Sequence, residues 1–84
     1  MIVVEIFSKD DCHLCERAKT TLREIQKRHP FELREILLRE GDARFEEYGQ
    51  RVPVIVVNNV VTFQYRVPEA EFIRHLQTLS LRAS

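Results

Sequence analysis

A short apolar run, Ile2 to Phe7, is interrupted only by Glu5 and leads within a few residues to a cysteine pair, Cys12-His13-Leu14-Cys15, that opens an amphipathic segment. Such a run reads as a buried strand, because a central strand covered on both faces needs no polar alternation. Ser8, Lys9, Asp10 and Asp11 make a polar loop with helix-starting residues. Beyond it Leu14, Ala18, Leu22 and Ile25 recur at helical spacing, while Arg17, Lys19, Arg23 and Glu24 fall mostly on other faces. A buried strand feeding an amphipathic helix requires a sheet with that helix laid over it, and it puts Cys12 at the helix N-terminus.

On a helix, residues three apart share a face with Cβ atoms roughly 5–6 Å apart, so small adjustments bring two sulfurs together. The pair can open and close reversibly. Unpaired N–H groups and the positive end of the helix dipole favour a thiolate at Cys12, and the thiolate is the attacking species. Cys12 is therefore expected to be the nucleophile. Cys15, a turn deeper, is expected to resolve a mixed disulfide formed there. Lys9 and His13 bring positive charge toward the thiolate and Asp10 and Asp11 oppose it. His13 reads equally as a solvated residue and as a group that tunes the sulfur.

His29-Pro30 ends the first helix, since proline disfavours the helical conformation of the residue before it. Phe31 to Leu38 fits both a strand and a helical period; a strand is favoured because a parallel sheet needs a partner for the first strand after a crossover helix. Gly41 breaks the chain, Asp42 caps a short helix through Tyr48, and Gly49 stops it. Val52-Pro53-Val54-Ile55-Val56-Val57 is rich in strand formers, with Pro53 placed at the strand's first positions because it cannot donate to a ladder. Asn58-Asn59 suits a tight hairpin returning as Val60 to Tyr65. Pro68 suits the first position of a last helix, whose apolar stripe is Phe72, Ile73, Leu76 and Leu79. The order β-α-β-α-β-β-α predicts an α/β fold, a four-stranded mixed sheet flanked by helices.

A chain of 84 residues with 44% apolar content is read as one domain, residues 1–84, with one core. Two cysteines allow a single bridge, so a disulfide-stapled secreted scaffold is excluded and the fold must stand without it. The N-terminus enters a strand at once, without a basic leader, and a cytoplasmic location is expected. Thirteen basic residues balance thirteen acidic ones, which argues against a nucleic-acid surface. No apolar run approaches the roughly 20 residues of a membrane span.

Ser8-Lys9-Asp10-Asp11-Cys12-His13-Leu14-Cys15 resembles the first strand-to-helix loop of the glutaredoxin-like members of the thioredoxin superfamily. Tyr48-Gly49-Gln50-Arg51-Val52-Pro53-Val54 resembles the family segment that contains a cis-proline, and the hairpin followed by a terminal helix completes the order. The resemblance covers nearly the whole chain and implies a thioredoxin-like fold. It also implies that Pro53 faces the nucleophilic cysteine while the backbone of Val52 pairs with an extended substrate. In glutathione-dependent relatives a Gly-Gly and an acidic or hydroxyl residue follow the hairpin. Here that stretch is Phe63-Gln64-Tyr65-Arg66-Val67-Pro68, which predicts weak selectivity for glutathione.

The expected activity is thiol-disulfide oxidoreduction, with Cys12 and Cys15 as the redox-active disulfide and Val52, Pro53, Lys9 and His13 binding substrate. The partners expected are disulfide-bearing proteins or low-molecular-weight thiols, and an external reductant, either a protein dithiol or reductase or glutathione. No bound cofactor is required, and a monomer is expected. The alternatives are an iron–sulfur or metal carrier using Cys12, and a redox-sensing interaction module. For a zinc site, His13, His29 and His75 lack a recognisable ligand spacing. Tyr48 and Tyr65 are expected to fill the core edge rather than touch substrate, and Arg51 and Arg66 to be solvated.

Overall fold

Alternation along the first strand sets the layers. In the computed structural model, which describes residues 1–83, β1 (Val3–Ser8) points Val4 and Ile6 into one apolar cluster and Phe7 into another. The first cluster lies under α1 (His13–Arg28) and α3 (Glu69–Ala83), which contribute Ala18, Leu22, Ile25, Phe72 and Leu76. The second is covered by α2 (Ala43–Tyr48), through Phe45 and Tyr48. Helices therefore lie on both faces, as the element order predicts.

The sheet has four strands in the order β2-β1-β3-β4, where β2 is Glu32–Leu37, β3 is Val54–Val57 and β4 is Val60–Gln64. β2 runs parallel to β1, with Val4 opposite Leu33, which settles the ambiguous segment as a strand. Its mixed pattern has a physical reason: β2 is an edge strand with four of its six residues exposed, so little burial imposes a period on it. β3 is buried throughout and runs antiparallel to both β1 and β4. Asn58 and Asn59 both adopt left-handed backbones, φ 47° and 68°, as a two-residue hairpin turn requires. Asn58 also binds back to β1, accepting from the Val3 amide at 2.9 Å.

Several boundaries move. β3 starts at Val54, so Val52 and Pro53 precede the strand and its ladder loses no donor to the proline. β4 stops at Gln64, and Tyr65 turns away with φ 73°. Pro68 lies one residue ahead of α3 rather than within it, and its carbonyl accepts the first helical bond, from the Phe72 amide at 2.8 Å. Gly49 does end α2, but in a right-handed conformation, φ −54°. Glycine is needed there for space: a Cβ would lie 2.6 Å from the Phe45 carbonyl oxygen. Among the described residues no helix is long and apolar enough to cross a membrane.

Candidate redox site

The strand-to-helix loop delivers the cysteines. Asp11 takes a left-handed backbone, φ 56°, which a short polar side chain tolerates, and Cys12 follows in an extended conformation as the N-cap of α1. Its carbonyl accepts from the Glu16 amide at 3.2 Å, and its Sγ accepts from the Cys15 amide at the same distance. One sulfur thus fills the place usually taken by a serine or aspartate oxygen. Negative charge developing on that sulfur would meet an N–H donor and the positive end of a 16-residue helix.

Cys12 and Cys15 are joined by a disulfide, with Cα atoms 5.2 Å apart. Their surroundings differ. Cys12 is half-buried, whereas Cys15 is fully buried among Phe7, Leu38, Val52, Val54 and Val56. Val52 shares this cluster with both cysteines, and the Val52–Pro53 peptide bond is cis. Pro53 is itself buried, and its carbonyl accepts from the Tyr65 amide at 2.8 Å. The start of β3, the end of β4 and the cysteine pair therefore meet at one end of the sheet.

A cleft of about 750 Å³ opens beside Cys12. Lys9 and His13 line it, together with Glu16, Lys19, Glu35 and Leu37, which sequence reasoning did not single out; Val52 and Pro53 are not among its lining residues. Lys19 is mostly covered and pairs with Glu16 at 3.1 Å; Arg23 holds Glu35 at 2.6 Å, tying α1 to β2. The Glu16–Lys19 pair had a signal, since charges three apart on a helix are neighbours. Among the described residues no group of three or more His, Cys, Asp or Glu side chains is placed to hold a metal ion.

The two tyrosines part company. Tyr48 packs on Phe7 with ring centroids 5.3 Å apart, and Arg44 lies 5.4 Å over the same Phe7 ring. Glu47, chiefly as a hydrogen-bond acceptor, raises the Tyr48 phenol above its ordinary value. Tyr65 does not fill the core edge: it is 53% exposed and belongs to neither apolar cluster. The left-handed turn that ends β4 takes it out of the sheet, at a conformational cost of about 1–2 kcal/mol for a residue with a Cβ. Arg51 and Arg66 are exposed, as expected.

The model of one protein family, "Glutaredoxin-like domain (DUF836)", matches residues 3–77, a span that takes in the cysteine pair, the cis-proline, the hairpin and most of the terminal helix. The chain belongs to that family. Solved structures agree on the fold. Protein Ne2328 from Nitrosomonas europaea is 26% identical with a TM-score of 0.75, covering 88% of this chain and 89% of its own. A structural-genomics target protein from X. campestris is 21% identical with a TM-score of 0.73, covering 89% and 96%. Thioredoxin-2, a component of the malaria parasite protein secretion machinery, is 14% identical with a TM-score of 0.65, covering 93% and 82%. The architecture of this glutaredoxin-like domain is therefore thioredoxin-like, and its adjacent cysteines support a redox-type function.

Proposed function

We propose that the protein is a dithiol thiol-disulfide oxidoreductase, acting on protein or low-molecular-weight disulfides. One observation carries the reading: the bridged pair joins a sulfur at the N-cap of α1, half-open to a cleft, to a sulfur that is fully buried. The reduced protein starts the cycle. The Cys12 thiolate attacks one sulfur of the substrate disulfide, breaking that S–S bond, forming a mixed disulfide and releasing the first substrate thiolate. Cys15, once deprotonated, attacks Cys12 Sγ, forms the intramolecular bridge and expels the second substrate thiolate. The substrate has gained two electrons and the protein has lost them. An external protein dithiol or reductase returns two electrons and two protons, reopening the bridge.

Trapping tests the assignment. Cys15→Ser leaves the attacking sulfur in place but removes the resolving one, so substrates should stay covalently bound to Cys12 and be released by dithiothreitol. Cys12→Ser should form no adduct. Adducts of equal yield from both variants would contradict the division of labour, and none from either would contradict the activity.

A further inference from the structure

Left-handed backbone conformations fall at Asp11, Gly41, Asn58, Asn59 and Tyr65. Glycine adopts them freely, and short Asp and Asn side chains tolerate them. Tyr65 is the exception: a bulky residue at φ 73° persists only where its surroundings impose the conformation, and such positions gather at functional sites. The Pro53 carbonyl, bound by the Tyr65 amide at 2.8 Å, helps impose it. Glycine would meet that bond without strain. Nor is the ring held there by the core, since it is 53% exposed and outside both apolar clusters. A half-exposed tyrosine is thus tied by its backbone to Pro53, whose neighbour Val52 packs with Cys12 and Cys15.

We propose that Tyr65 is a substrate-contact residue that selects polypeptide disulfides, with an apolar side chain next to the reacting cysteine, over glutathione disulfide. The proposal rests on the oxidoreductase reading and names its substrate class. An extended polypeptide beside Val52-Pro53 brings the neighbours of its cysteine to the rim of the site, where the ring can cover an apolar one. Tyrosine is suited to this, because it offers a large rigid surface with few rotors to immobilise. Leu14, 49% exposed and adjacent to Cys15, offers a second apolar contact on the α1 side. Glutathione flanks its cysteine with a γ-linked glutamate and a glycine. It has no apolar side chain for either contact.

The experiment compares wild type, Tyr65→Gly, Tyr65→Asn and Tyr65→Phe on two substrates, oxidised glutathione and the symmetrical disulfide of a capped Leu-Cys-Leu peptide, with dithiothreitol as reductant. Asparagine accepts the left-handed backbone without the ring, so two variants remove the contact while sparing the turn. Both should lower kcat/KM for the peptide disulfide by about tenfold, mainly through KM, and leave glutathione disulfide unaffected or faster. Tyr65→Phe should keep the wild-type ratio of the two substrates. An unchanged ratio in Tyr65→Gly and Tyr65→Asn, or an equal loss on both substrates, overturns the proposal and leaves the activity standing. A wild-type protein that exchanges with neither substrate overturns the oxidoreductase reading and this proposal together.

Discussion

A cysteine used as a helix cap couples backbone structure to sulfur chemistry, and this is why Cys12 was legible from sequence. An apolar run, a polar loop and a helical stripe leave few places for the helix to begin, and Cys12 occupies one of them. Lys9 in the loop and His13 at the start of α1 flank Cys12 and line the cleft. Tyr65 was not legible, because nothing in the local sequence marks a left-handed aromatic; the turn is imposed by a bond to Pro53, distant along the chain. Gly49 shows the same limit in another form. Its helix-stopping place was readable, yet its reason is the close approach of the Phe45 carbonyl, at 2.6 Å from an added Cβ, not a positive φ. Gly49→Ala should therefore destabilise the protein by about 1–3 kcal/mol, the usual cost of forced overpacking, as read from urea unfolding. A neutral effect would mean that the end of α2 shifts freely.

Strongly buried elements could be read from their own residues, whereas the weakly buried ones were read from what surrounds them. β3, buried along its whole length, needed only a boundary correction around Pro53, whereas β2, an exposed edge, offered two periods at once. The parallel partner required by β1 decided it, an argument from the sheet rather than from the segment. α2 is a third case. It buries no residue fully, yet Phe45 and Tyr48 pack against the cluster that surrounds Cys15, so so short a helix depends on its ends. Asp42 supplies the N-cap by accepting from the Arg44 amide at 2.9 Å. Asp42→Ala should cost about 1 kcal/mol, and hydrogen exchange should rise in α2 before it rises in α1. The longer helices lose much more when their core side chains are cut. Phe72, fully buried under the sheet and edge-on to Phe31, should cost about 3–5 kcal/mol as Phe72→Ala in thermal or denaturant unfolding.

At the scale of the whole molecule, the question is how far the fold depends on the bridge. The first cluster contains neither cysteine, and it joins β1 and β3 to both long helices through Val4, Ile6, Leu22, Ile25, Ile55 and Phe72. The second contains both, but Phe7, Leu38, Val54 and Val56 remain packed there whatever the sulfurs do. Closing so short a loop restricts the unfolded chain by only about 2 kcal/mol in the chain-entropy account. With both clusters packed whatever the state of the sulfurs, oxidation and reduction should move stability little. Reduced protein should unfold in a single cooperative transition, with Tm within about 10 °C of the oxidised form, the shift that roughly 2 kcal/mol produces in a domain of this size. Calorimetry with and without dithiothreitol checks this. Loss of the transition on reduction would show that the bridge holds the fold together, and a protein that unfolds whenever its disulfide opens could not cycle through the dithiol state that exchange requires.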